Sequence, residues 1–150
     1  MQQALLSAGF VVEDPDAVAM SHAHDVSYMR RVLVVDDDQT SRMMLSHLLL
    51  DEGFAVVEAV DGVEAVYRAR QAHFDAVLMD IHMPVMDGCQ AAETLRSDTR
   101  TRTIPIVACT ALGEHYDEWQ HLFVDVIRKP FTSKEVITAL RKHIGHSLSP

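Results

Sequence analysis

The chain has 150 residues, 48% of them hydrophobic, and a formal net charge of −9. That length suits one domain with its own core, and the acidic balance argues against a phosphate-backbone binder, which needs a basic face. No apolar run is long enough to span a bilayer, the N-terminus has no signal-peptide pattern, and Cys89 and Cys109 lack the spacing of a disulfide framework or zinc knuckle. The reading is therefore a soluble, cytoplasmic, reduced protein with no membrane insertion and no nucleic-acid partner.

Residues 1–30 read as an N-terminal arm or linker: Ala4, Leu5, Leu6 and Phe10 start a helical pattern that Glu13-Asp14-Pro15-Asp16 interrupts. His22 and His24 form a metal-capable pair, although such a pair in a polar segment is more often solvated. Regular structure begins with Val32-Leu33-Val34-Val35, a β-branched apolar run expected of a strand buried on both faces, and it ends in Asp36-Asp37-Asp38. A helix from about Gln39 to Glu52 follows, stopped by Gly53, with Met44, Leu45, Leu48 and Leu49 as its inward stripe. Met43 and Leu50 fall on the opposite face, seven residues apart, and are expected to be exposed.

Phe54 to Val57 reads as a second strand, and Val63 to Ala72 as a second helix with Ala65, Val66 and Ala69 inward. A third strand, Phe74 to Met79, delivers Asp80 and stops in the turn chemistry of Met83-Pro84 and Asp87-Gly88. A helix over about Cys89 to Ser97 leads to a fourth strand, Ile104 to Cys109, which ends in Thr110. Leu112, Tyr116 and Trp119 recur at helical spacing. The fifth strand, Val124 to Ile127, runs into Arg128-Lys129-Pro130-Phe131, and a last helix capped by Thr132 or Ser133 buries Val136, Leu140 and Ile144. A polar tail, 146–150, remains, and no output domain is expected on this chain.

Five alternations of strand and helix imply an α/β fold, a doubly wound parallel sheet with helices on both faces. The ends of parallel strands share one edge, where ligands of such sheets bind. That edge collects Asp36, Asp37, Asp80, Thr110 and Lys129. Asp80 alone could simply cap its loop, but three converging carboxylates repel one another and need a cation to stay ionised. Oxygen donors select a hard ion, Mg²⁺ above all. A lysine and a hydroxyl beside them can hold the other oxygens of a phosphoryl group.

On Asp36-Asp37, Met79-Asp80-Ile81-His82-Met83-Pro84-Val85-Met86-Asp87-Gly88, Thr110-Ala111 and Lys129-Pro130-Phe131, the chain resembles the receiver domain of two-component response regulators over about residues 31–145. The resemblance implies a flavodoxin-like five-stranded sheet of order 2-1-3-4-5. It implies that Asp80 accepts a phosphoryl group from the phosphohistidine of a sensor histidine kinase or histidine phosphotransfer protein. It further implies that Asp36, Asp37, Asp80 and the backbone carbonyl of His82 hold Mg²⁺. Thr110 would then bond the phosphoryl oxygen and move the loop behind its strand, and Lys129, ahead of a cis proline bond, would pair with Asp80. The product is a signal to a downstream protein rather than an enzyme acting on another substrate. The chain departs from the family pattern at His82, at Leu112, at Leu122 in the place of a usual glycine, and at Val126, where an aromatic switch ring is usual. Without that ring, the change on phosphorylation is expected in the helix after Thr110, where Leu112, His115, Tyr116 and Trp119 are the large side chains.

Two other readings stay open. Asp36-Asp37-Asp38-Gln39-Thr40 also fits the nucleophile motif of haloacid-dehalogenase-type phosphatases, with Asp36 phosphorylated and Asp38 as the acid, though this leaves Asp80 without a task. The third reading is a binding module that keeps the fold but is not phosphorylated.

Overall fold

The computed structural model describes residues 29–111 and 116–144, with Tyr116 described by its backbone alone. The arm with His22 and His24, the residues Leu112 and His115, and the tail lie outside the described residues. The strands are β1 (Arg31–Val35), β2 (Ala55–Ala59), β3 (Ala76–Asp80), β4 (Ile106–Thr110) and β5 (Asp125–Arg128). The helices are α1 (Gln39–Asp51), α2 (Gly62–Gln71), α3 (Gly88–Arg96), the single turn α4 (Tyr116–Trp119) continued by a 3₁₀ turn at Gln120–Leu122, and α5 (Ser133–Ile144). The sheet is fully parallel in the order β2-β1-β3-β4-β5, as expected from the resemblance.

Each central strand alternates between two cores. Leu33, Val35, Val77, Met79, Ile106 and Ala108 pack with α2 and α3. Val32, Val34, Ala76, Leu78, Val107, Cys109 and Ile127 pack with α1 and α5. With a side-chain period of two, Asp36, Asp80 and Lys129 continue the α1/α5 side of their strands. The alternation therefore aims these three groups towards one another at the C-terminal edge.

Helix starts are fixed by side-chain caps. Asp38 accepts from the Ser41 amide and Asp61 from the Glu64 amide, each at 2.8 Å. Asp87 and Gln90 form a reciprocal capping box at α3, and Thr132 and Glu135 form one at α5. Such caps contribute about 1 kcal/mol each.

Several expectations from the sequence need correction, strand limits among them. Met44 is not in the inward stripe of α1: it is 65% exposed. The inward face is Leu45, Leu49 and fully buried Ser46, because Ser46 and Arg42 turn to Glu58 on β2. The same rotation carries Leu50 against the α1/α5 core, half-buried, so it does not share an exposed face with Met43. β4 starts at Ile106 rather than Ile104, since Pro105 has no N–H for the ladder; its carbonyl accepts from Val77 at 2.9 Å.

Candidate functional site

Asp36 is 1% exposed and every polar group it carries is engaged. Its amide donates to the Ala59 carbonyl at 3.2 Å, and its carbonyl accepts from Arg42 at 2.9 Å. One carboxylate oxygen accepts from the Asp38 amide at 2.9 Å, the other from Lys129 Nζ at 3.2 Å. Lys129 Nζ also stands 3.6 Å from Asp80, and the Lys129 amide donates to the Thr110 carbonyl at 2.8 Å. The Lys129-Pro130 bond is cis, as expected. Thr110 is fully buried at the end of β4, whereas Asp37 is exposed.

Asp80 is 8% exposed. Burial raises its carboxyl above the usual carboxylate range, neighbouring Asp36 and Asp37 push the same way, and Lys129 offsets part of the rise. Burial works to lower the Lys129 ammonium, but the carboxylates of Asp80 and Asp36 outweigh it and hold the lysine above its ordinary value. Asp36, Asp37 and Asp80 each offer an oxygen within 4.8 Å of the others. Across an octahedral magnesium shell, opposite oxygens lie about 4 Å apart. The donor set therefore fits a hard divalent cation after small side-chain adjustments. His82 is exposed, two residues past Asp80.

The loop after Asp80 is fastened at both ends. The Gly88 amide donates to the Ile81 carbonyl at 2.8 Å, and the Gly62 amide at the start of α2 donates to the Met86 carbonyl at 3.1 Å. Between them Val85 adopts φ +69° and is 82% exposed.

The family model of the response regulator receiver domain matches residues 32–141. The chain belongs to this family. As a receiver domain it is a module of two-component signalling, and its relatives carry such a module in several settings. It is 38% identical over 120 residues to the chemotaxis protein CheY of Bacillus subtilis, covering 77% of this chain and 98% of CheY. It is 36% identical over 124 residues to the phosphate regulon transcriptional regulatory protein PhoB of Escherichia coli, covering 81% of this chain and 54% of PhoB. The receiver thus spans about half the length of that regulator. A solved structure of the receiver domain of sensor histidine kinase PA1611 from Pseudomonas aeruginosa superposes with a TM-score of 0.73 at 32% identity, covering 78% of this chain and 98% of that one. That structure has a magnesium ion coordinated in its active-site cleft.

The site therefore brings together Asp36, Asp37, Asp80 and Lys129, with Thr110 linked through its backbone to Lys129. Reading the sequence for strand-end residues missed Arg42, Ser46 and Glu58, which lie one layer behind. The spacing of Arg42 and Ser46, four apart on one helix face, was the available signal. It also missed that Asp87 caps α3, although Asp87 and Gln90 have capping-box spacing. At Val126 the side chain is half-buried against the α2/α3 core, as is Trp119, which meets Phe123 edge-on at 5.5 Å.

Proposed function

We propose that Asp80 is the phosphoacceptor of a two-component phosphorelay and that the acyl phosphate changes binding to a downstream protein. The observation that carries this is Lys129 Nζ set between Asp36 at 3.2 Å and Asp80 at 3.6 Å, beside an oxygen cluster suited to Mg²⁺. An Asp80 oxygen attacks the phosphorus of a partner's phosphohistidine. The P–N bond breaks, its electron pair leaves on the imidazole, and Lys129 holds a phosphoryl oxygen. Burial leaves the Asp80 carboxylate weakly solvated and so more nucleophilic. Asp36, Asp37, Asp80 and the His82 carbonyl would hold Mg²⁺, which would supply neutralisation of phosphoryl charge. Thr110 is the hydroxyl that would bond the product. The unit is residues 31–145, and its only catalysis is its own phosphorylation and dephosphorylation.

The donor is a sensor histidine kinase or histidine phosphotransfer protein. Nucleic acid does not fit a chain of net charge −9, and among the described residues no helix is long and apolar enough to cross a membrane. The haloacid-dehalogenase alternative meets a specific obstacle in Asp38, its acid. That carboxylate caps α1 and is held below its ordinary pKa, chiefly by the Ser41 amide, the reverse of what a proton donor needs.

Incubation with acetyl phosphate and Mg²⁺, followed by mass spectrometry of the labile acyl phosphate, tests the reading. Label on Asp80 supports it. Label on Asp36 transfers the case to the phosphatase, and absence of label to the binding module.

The donor's docking face follows from the corrected rotation of α1. Met43 and Met44, 39% and 65% exposed, stand on the helix that opens just after Asp37, within reach of a helical partner whose histidine must meet Asp80. Replacing both by glutamate is expected to slow transfer from the kinase about 10-fold, equivalent to about 1.4 kcal/mol, with acetyl phosphate labelling unchanged. Equal transfer rates would place the donor elsewhere.

A further inference from the structure

We infer that Arg42 is a positioning residue for the metal ligands, and that Glu58 and Ser46 exist to aim it. The inference rests on the reading of Asp36, Asp37 and Asp80 as the Mg²⁺ site.

Arg42 Nη1 donates to the Asp36 carbonyl at 2.9 Å while Nε of the same guanidinium donates to Glu58 at 3.0 Å. The other Glu58 oxygen accepts from the Ser46 hydroxyl at 2.7 Å. The Arg42 and Glu58 side chains are each only 13% exposed, and Ser46 is fully buried. Both carboxylate oxygens of Glu58 are thus committed, and the carboxylate has little freedom to rotate. The fork of the guanidinium is planar and rigid, so fixing one edge aims the other.

What it aims at is the peptide unit between the two acidic residues. The carbonyl of Asp36 and the amide of Asp37 lie in one plane. A donor on that carbonyl therefore sets the ψ of Asp36 and the φ of Asp37 together. Asp36 is already pinned by its amide, its carboxylate and Lys129. Asp37 is exposed, and the orientation of this plane decides whether its carboxylate projects towards Asp80 or into solvent. Arg42 controls the exposed ligand through the buried one. A partner that orients a ligand commonly contributes 10-fold or more to metal affinity.

A bare structural role predicts lost stability with the metal site intact, so the test reads metal affinity in folded protein. Mg²⁺ is titrated into the full chain, free of any phosphodonor, and followed by the amide resonances of Asp37 and Asp80 well below each variant's melting temperature. Arg42→Lys keeps the charge and loses the fork; it is expected to raise the half-saturating Mg²⁺ concentration about 10-fold. Arg42→Ala should raise it at least as much. Glu58→Gln, which retains an oxygen for the guanidinium, should fall between Arg42→Lys and the unaltered protein. Arg70→Lys, at the remote ion pair with Asp98, should change nothing. Unaltered half-saturation in Arg42→Lys overturns the inference, and this variant decides alone if Arg42→Ala does not fold. If the unaltered protein itself shows no Mg²⁺-dependent shift at these amides, the metal-site reading falls first and the inference with it.

Discussion

Asp80→Asn is expected to reduce labelling by acetyl phosphate in Mg²⁺ to background and, in metal-free protein at neutral pH, to raise stability by about 1 kcal/mol, a few degrees in Tm. The first effect follows from losing the proposed nucleophile. The second follows from its environment. Burial, with Asp36 and Asp37 adding to it, holds the folded-state pKa of Asp80 above the ordinary value. Between the unfolded and folded values the native protein binds more protons than the unfolded chain, so stability falls as pH rises through that window. Above the folded value the full penalty is present, and below the unfolded value it is gone. Asparagine carries no such penalty, and Lys129 keeps its 3.2 Å contact with Asp36. The Tm difference between the two proteins should therefore shrink as pH is lowered through the folded-state pKa. Melting curves across that range and a phosphorylation assay check both halves. Full labelling of the asparagine protein would sink the phosphoacceptor assignment, and a lower Tm at neutral pH would show that Lys129 contributes more than burial costs.

Why the sequence made this site legible can be traced to strand geometry. A parallel sheet puts all strand C-termini on one edge, and the period of two decides which neighbours share a side. Asp36 follows Val34, Asp80 follows Leu78, and Lys129 follows Ile127 by two residues, and all three partners lie in the α1/α5 core. Runs of apolar residues ending in a charge therefore contained both the edge and the side. The helix α1 is less legible because apolar residues occur on nearly every side of it. Counting Met44 as inward ignores that polar groups can occupy the inward face when they have partners. Ser46 and Arg42 have one in Glu58, a residue 12 positions beyond Ser46; their spacing of four puts both on one helix face but does not name that partner. Strand limits are displaced by one or two residues for a related reason: Ala59 pairs with Val35 in the ladder although alanine has little β-propensity of its own. The expected switch involves the helix after Thr110 and the missing ring at Val126. Of the side chains named for it, Trp119 and Val126 are described, and both are half-buried against the α2/α3 core.

Gly88→Ala is expected to be the most damaging small substitution around the site. An added Cβ at position 88 would fall on the Asp80 carbonyl oxygen at a separation no pair of non-bonded atoms adopts, and 2.9 Å from the Ile81 Cα. Both obstacles are backbone, so no side-chain rotation relieves them. Either the first turn of α3 retreats, losing the Gly88 amide bond to Ile81 at 2.8 Å, or the end of β3 shifts and takes Asp80 with it. The gain of about 1 kcal/mol that alanine has over glycine within a helix is smaller than overpacking of this kind, which costs about 3 kcal/mol. For a domain of this size the net loss corresponds to a Tm lowered by about 10 °C. Gly53→Ala is the comparison. Gly53 has φ +92°, and a Cβ added there would meet no atom within 4 Å, so its cost is conformational alone, about 1 kcal/mol. The two variants should also differ in kind. Gly53→Ala should leave Mg²⁺ affinity and Asp80 labelling unchanged. Gly88→Ala should weaken both even at temperatures where it is fully folded, because the carbonyl it displaces belongs to the proposed acceptor, Asp80. A Gly88→Ala protein that melts and labels like the unaltered chain would show that the loop between β3 and α3 yields freely, and that its tethers at Ile81 and Met86 do not set the position of Asp80.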